Sequence, residues 1–218
     1  IVVGISAELV KKTLGDQYDY ALQEEQLGTG HAVQCAKQTI GDEADAVTVL
    51  YGDQPFLKPE SIVRLARVHE NEAAVLTMMT MRVPDFEEWR RPLYDFGRIF
   101  RDERGNIKAV VEKKDAVPKE LEIKELNPAF FCFNAHWLWG NIEKLDNKNA
   151  QGEYYLPDLV KLAIDSSERV ASLKVAPQEA VGVNTEEHLE LARRLTKRAI
   201  LLLRLTKWGV FCIISLAI

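Results

Sequence analysis

An α/β fold built on a mostly parallel sheet flanked by helices follows from three observations on this 218-residue chain. Strand-like and helix-like patterns alternate along its length, the sequence sign of strands joined by helical crossovers. The run Ala46 to Tyr51 is nearly all apolar and rich in valine, as expected of a strand covered on both faces. Gln23 to Ala32 sets two glycines and a threonine between a strand-like run and the start of a helical pattern.

The elements are expected in the following order. Ile1 to Val3 reads as a strand and Ala7 to Leu14 as a helix. Gly28 and Gly30 then allow a tight turn and a close ligand approach, because neither carries a Cβ. Backbone N–H groups at the next helix start suit an anion or a polar base edge, and the Gln23 and Gln26 amides can read a planar ring. An ordinary glycine-rich turn explains the same string. After the Ala46 to Tyr51 strand, Pro59 opens a helix to about His69, and Ala73 to Met81 is a strand. Arg98 to Arg101 and Ile107 to Glu112 flank a hairpin turn that contains Gly105. Leu126 to Phe133 is an aromatic strand, and Ala135 to Leu145 a helix. Tyr154 to Asp165 is a helix with Pro157 in its first turn, Val170 to Val175 a strand, and a last helix starts near Thr185.

Composition shifts only near residue 198, so residues 1 to 198 are expected to form the domain and 199 to 218 an apolar tail. Only ten residues follow Trp208, too few to cross a bilayer as a helix, so a membrane partner is not expected. A buried or partner-facing helix, an interfacial segment, or the product of where the reading frame was cut are all open for this tail. A net charge of −5 opposes a nucleic-acid surface. Cys35, Cys132 and Cys212 are scattered without metal-ligand spacing, which points to reduced thiols in a cytoplasm. No Ser-His-Asp or Cys-His arrangement suggests covalent acyl transfer. Nothing specifies the oligomeric state.

Several constellations carry candidate chemistry. Asp53, in Tyr51-Gly52-Asp53, follows the buried strand, where ligands bind in open α/β sheets. It suits Mg²⁺, a hard cation that keeps waters and substrate phosphates, or else simply starts an Asp-x-Pro turn. Asn184 offers an amide oxygen to the same metal, or caps a helix with Glu187 three residues on. Gly97 and Arg98 allow backbone approach to a sugar with a guanidinium for a nearby charge. Glu112 can accept hydrogen bonds from sugar hydroxyls, unless the hairpin only carries a solvated charge face. Asn127 is a polar candidate or a turn former beside Pro128, and Tyr154 and Tyr155 are core or pocket lining.

Each signal is weak alone, but their order is specific. Gln-Leu-Gly-Thr-Gly-His-Ala (26–32), Tyr-Gly-Asp, the Gly-Arg hairpin, Val-Glu-x-Lys-Asp (111–115), Asn127, Asn-Ala-Gln-Gly-Glu-Tyr-Tyr (149–155) and Gly-Val-Asn resemble the N-acetylglucosamine-1-phosphate uridylyltransferases over about residues 1 to 195. The resemblance implies a Rossmann-like nucleotidyltransferase fold with a small β-hairpin sugar-binding insertion. It implies conversion of UTP and N-acetylglucosamine 1-phosphate to pyrophosphate and UDP-N-acetylglucosamine, a peptidoglycan precursor, with Mg²⁺. Gln23, Gly28 and Thr29 would contact uracil, and Asp53 and Asn184 would share the Mg²⁺. Gly97, Glu112 and Asn127 would line the sugar pocket, with Tyr51 and Gly52 against the nucleotide sugar.

The resemblance also has departures. Ile1 corresponds to the family's second strand, so the first strand, its glycine-rich loop and its basic residue are missing. That implies a gap or an unpaired edge in the sheet and impaired turnover with recognition retained. Phe96 replaces a common tyrosine, and Asn127-Pro128-Ala129 stands where Asn-Thr-Gly is common. The acetyltransferase β-helix that many members carry is absent. Three other readings stay open: a nucleotidyltransferase for another sugar or a molybdopterin-type acceptor, a non-catalytic nucleotide-sugar binding module, and a membrane-associated interaction protein resting on residues 199 to 218 alone.

Overall fold

The computed structural model describes residues 1–41, 43–183, 185–186 and 189, and the backbone of residues 211–216. In chain order its regular elements are β1 (Val2–Val3), α1 (Ala7–Leu14), β2 (Ala21–Leu22), α2 (Thr29–Ile40), β3 (Ala46–Tyr51), α3 (Pro59–Asn71) and β4 (Leu76–Arg82). There follow β5 (Gly97–Arg101), β6 (Ile107–Val111), β7 (Glu125–Asn127), β8 (Phe131–Asn134), α4 (Ala135–Asn141), α5 (Asp158–Asp165), β9 (Val170–Lys174) and β10 (Phe211–Leu216). The strands form one sheet in the order β2-β1-β10-β3-β8-β4-β7-β5-β6, with β9 also on β4. Pairings β2-β1-β10-β3 and β4-β9 are parallel, β8 runs antiparallel between β3 and β4, and β5, β6 and β7 form a small antiparallel appendage.

Strand periodicity divides the core into two layers, because successive side chains point to opposite faces. Val47, Val49, Met78, Phe131 and Phe133 join one buried cluster with α2, α4 and α5 residues such as Val33, Leu138 and Leu159. Their chain neighbours Ala46, Met79, Phe130 and Cys132 join a second cluster with Leu65 of α3. Helices therefore cover both faces, as the apolar run of β3 requires. Pro59 sits in the first turn of α3, where its missing N–H costs nothing.

Four sequence expectations are corrected. Leu126 to Phe133 is two strands, β7 and β8. Pro128 has no N–H for a ladder, and Ala129 adopts a left-handed conformation with φ 64°. The helix expected from Tyr154 begins only at Asp158, with Pro157 as its N-cap, because residues 154 to 156 bond the loop before α2 instead. The helix expected over Ala135 to Leu145 stops at Asn141 and tightens into a 3₁₀ turn, Ile142–Lys144. The expected gap in the sheet does not appear, since β10 lies between β1 and β3, with Leu216 level with Val2 and with Tyr51. Part of the tail, whose role the sequence left open, is thus a strand. The helix expected from near Thr185 falls largely outside the described residues.

Candidate functional site

A cleft of about 1160 Å³ opens past the carboxyl end of β3. Thr29, Tyr51 and Asp53 line one side, and Gly97, Glu112, Asn127 and Ala129 line another. The 3₁₀ segment Glu88–Asp95 supplies a third wall through Trp89, Arg91 and Leu93. Tyr155 and Pro157 add a fourth. Six of the ten sequence candidates (Thr29, Tyr51, Asp53, Gly97, Glu112 and Asn127) thus share one cavity. Gln23, Gly28 and Gly52 do not line it, and Asn184 lies outside the described residues.

The loop before α2 is shaped by the chain it packs against. Gly28 has φ 106°, and a Cβ there would lie 2.7 Å from the Tyr154 carbonyl oxygen. At Gly30 a Cβ would meet Leu145 Cδ1 at 2.5 Å. A side chain at either glycine would thus meet neighbouring protein, which accounts for both glycines by the tight packing of the turn. The Tyr154 N–H donates to Leu27 O, and the Gly30 N–H to Tyr154 O, each at 2.8 Å. Leu156 N–H donates to Thr29 Oγ1 at 3.0 Å, and the Thr29 hydroxyl lies beside the Tyr51 phenol. Gln23 Nε2 donates to Gly28 O at 3.1 Å and lies 3.1 Å from His31 Nδ1, so its amide nitrogen is committed to holding the loop. These bonds make the turn a rigid platform carrying Thr29 to the cleft.

Asp53 presents a different situation. Its Oδ1 is buried and has no hydrogen-bond partner among the described residues, and burial raises the carboxyl above its ordinary pKa. A buried, unpaired carboxylate oxygen is costly unless a cation or donor arrives to meet it. The Val183 N–H donates to the Asp53 carbonyl at 2.7 Å, which brings the chain just ahead of Asn184 beside Asp53. Among the described residues no group of three or more His, Cys, Asp or Glu could hold a metal. A single carboxylate still suits Mg²⁺, which takes one or two protein carboxylates and completes its shell with water and phosphate oxygens. The residues therefore fit this ion.

On the opposite wall, Gly97 and Glu112 meet closely. Gly97 pairs with Asn127 across β5 and β7, and a Cβ on it would sit 2.7 Å from Glu112 Oε1. Burial, with the Asp158 and Asp115 carboxyls nearby, pushes Glu112 up to about 7 from 4.5. The Asn127 amide lies beside Glu112 and favours its carboxylate, and Asn127 Oδ1 accepts from the Ala129 N–H at 2.9 Å. Sequence reasoning passed over Asp158 as a titrating group. It begins α5, and burial with Asp146 and Asp115 pushes it up to about 6. A carboxylate directly after Tyr-Leu-Pro at a helix start was the available signal. The Glu88–Asp95 wall had no readable signal, because its 3₁₀ path interrupts both helical and strand periodicity.

Ala129 occupies a conformation that favours glycine. Ala129→Gly is expected to stabilise the protein by about 0.5–1 kcal/mol, since relief of the left-handed strain exceeds glycine's entropy cost. Urea unfolding should show a raised midpoint at unchanged slope. A lowered midpoint would mean the methyl's packing outweighs the strain.

The nucleotidyl transferase family profile matches residues 5–197. The chain is 40% identical over 200 residues to the bifunctional protein GlmU of Halalkalibacterium halodurans, covering 91% of this chain and 42% of that protein. It is 40% identical over 203 residues to the GlmU of Bacillus licheniformis, covering 90% and 43%, and 37% identical to that of Clostridium novyi, covering 90% and 42%. The chain thus spans about two fifths of the length of these curated relatives. Its fold is similar to that of CMP:2-keto-3-deoxy-manno-octonic acid synthetase complexed with CTP, with a TM-score of 0.59 and 15% identity over 90% of this chain and 80% of that one. Among the described residues no helix is long and apolar enough to cross a membrane.

Proposed function

Since the chain belongs to the nucleotidyl transferase family, we propose that its cleft is the site of a sugar-1-phosphate uridylyltransferase. The substrates are UTP and N-acetylglucosamine 1-phosphate, and the products UDP-N-acetylglucosamine and pyrophosphate. A sugar-phosphate oxygen attacks the α-phosphorus in line as pyrophosphate departs, with no covalent enzyme intermediate. The observation that carries this reading is Asp53 Oδ1, an unpaired buried carboxylate oxygen beside the cleft that Thr29 and Glu112 also line. The family match over residues 5–197 and the identity of about 40% to the GlmU proteins support nucleotidyl transfer at this cleft.

Asp53, with Asn184, would hold Mg²⁺, which when bound orients the phosphates and offsets charge on the α-phosphate. The loop carrying Gln23, Gly28 and Thr29 reads the uracil edge, fixed in advance by its bonds to residues 154 to 156. Tyr51 and Gly52 lie against the nucleotide sugar. Glu112 and Asn127 accept and donate hydrogen bonds to hydroxyl and acetamido groups, while Gly97 leaves room beside them. In such transfers the protein contributes mainly positioning and charge complementarity. A cytoplasmic location fits a UTP-consuming reaction and scattered free cysteines.

Pyrophosphate release with N-acetylglucosamine 1-phosphate, compared across UTP, CTP, ATP and GTP, tests this reading. UTP is expected to be preferred over each other base. Equal rates, or a preference for CTP, ATP or GTP, would contradict it.

A further inference from the structure

Arg98 is fully buried, yet it does not line the cleft, although the sequence suggested a guanidinium beside the sugar. Its Nη1 donates to the Tyr94 carbonyl at 3.0 Å and to the Phe96 carbonyl. Its guanidinium carbon lies 4.9 Å from the Tyr94 ring centre and 5.2 Å from that of Phe86. Those two rings pack edge to face at 4.9 Å. One planar cation thus holds the end of the Glu88–Asp95 wall, through two carbonyls and two aromatic faces, at the point where the chain enters β5. The next residue back is Gly97, whose backbone abuts the Glu112 carboxyl, and Arg98 pairs across the hairpin with Val111, the residue before Glu112.

Two more facts set Arg98 apart from ordinary packing. Its Nε and Nη2 are buried with no partner among the described residues, a cost that a purely structural residue of this length would avoid. Its charge also opposes the effects that hold Glu112 in its protonated form. The groups that act on Glu112 are the Asp158 and Asp115 carboxyls, the Arg98 cation and the Asn127 amide, with the Tyr51 and Tyr155 phenols also near.

We propose that Arg98 is a positioning residue for the sugar subsite: it fixes the distance between the Glu88–Asp95 wall and Glu112, and its charge supports the Glu112 carboxylate that accepts sugar hydroxyls. This rests on the reading of Glu112 as a sugar-contacting group. The arginine touches no substrate itself. It acts through the Phe96 carbonyl and Gly97 on one side and through its field on the other.

The test uses Arg98→Met and Arg98→Lys in the full chain. In the protein without ligand, the Glu112 carboxyl titration followed by ¹³C NMR should move upward in Arg98→Met and stay close to the parent in Arg98→Lys. Affinity for UDP-N-acetylglucosamine should fall about tenfold in Arg98→Met while affinity for UTP, which carries no N-acetylglucosamine, stays within about twofold. An unchanged Glu112 titration in folded Arg98→Met, or an equal loss of affinity for both nucleotides, would overturn the proposal. Should Arg98→Met not fold, the lysine variant decides by its loss of sugar-nucleotide over UTP affinity, because lysine keeps the charge but cannot bridge two carbonyls between two rings. The titration needs no ligand, so a parent protein that binds neither nucleotide refutes the functional reading and leaves the positioning claim to be judged on Glu112 alone.

Discussion

Asp53→Asn is expected to lower the rate of pyrophosphate release by about 10³-fold, the scale seen when a preorganised charge interaction with the transferring phosphate is removed. Asparagine keeps the volume of the side chain but offers a neutral oxygen where the metal needs an anion. The folded protein should not suffer. Burial disfavours the Asp53 charge, and its Oδ1 has no partner among the described residues, so the neutral amide removes a cost. Thermal unfolding without ligand should therefore show a melting temperature equal to or above that of the parent. Unchanged turnover with saturating Mg²⁺ would remove Asp53 from the metal site, and a large drop in melting temperature would show that the carboxylate is structural.

Glu112→Gln separates stability from recognition on the opposite wall. Glu112 is pushed up to about 7 in the folded protein from an ordinary value of 4.5. Between those pH values the folded state binds more protons than the unfolded chain, so stability falls as pH rises from about 4.5 to about 7, and then levels. Asp158, pushed up to about 6 from 3.8, adds a slope of the same sign in its own window. Replacing Glu112 removes one contribution, on the order of 3 kcal/mol. The glutamine protein should match its parent near pH 4.5 and melt higher at pH 8.

Binding should move the other way. A carboxylate accepts two sugar hydroxyl hydrogens where an amide offers one acceptor, so affinity for UDP-N-acetylglucosamine should fall about tenfold or more at pH 8. The parent's affinity should rise with pH through about 7, as Glu112 ionises, and that rise should vanish in Glu112→Gln. A parent profile flat between pH 6 and 8, or a glutamine protein that melts lower at pH 8, would contradict this assignment. Both variants test one proposed trade: a buried carboxyl that destabilises the empty protein in exchange for a contact with ligand.

The sheet was legible where local pattern and tertiary role agree. β3 has the bounds its valine-rich run suggested, and the β5-β6 hairpin was announced by Asp102 to Asn106, whose Gly105 adopts φ 84°. Legibility failed where distant chain intervened. Tyr154 to Leu156 look helical by pattern, but their backbone is drawn off to bond Leu27, Thr29 and Gly30. Local propensity yields there to a tertiary demand. Phe131 and Phe133 shared an aromatic run with Leu126, and only the Asn127-Pro128-Ala129 turn reveals two strands. β10 was unreadable because parallel pairing of the first and last strands leaves no local trace.

The site shows the same division. Thr29, Tyr51, Asp53, Gly97, Glu112 and Asn127 could be picked out because each stands beside a turn or strand end in a recognisable string, and they line one cleft. The roles were harder. Gly28 and Gly30 are glycines for the sake of Tyr154 and Leu145, and Arg98 turns inward to hold a wall rather than outward to meet a charge. Spacing along a chain identifies which residue types are poised for chemistry, but what each one faces is decided by segments a hundred residues away.

The central claim is that this cleft recognises a uridine nucleotide sugar with the help of a metal at Asp53. Calorimetric titration of the chain with UDP-N-acetylglucosamine, with Mg²⁺ and again with a chelator, tests it most directly. The account predicts saturable one-to-one binding that weakens when Mg²⁺ is withdrawn and that is weaker still for the corresponding CDP or GDP sugar. Absence of binding under both conditions, or equal heats for all three nucleotide sugars, would contradict it.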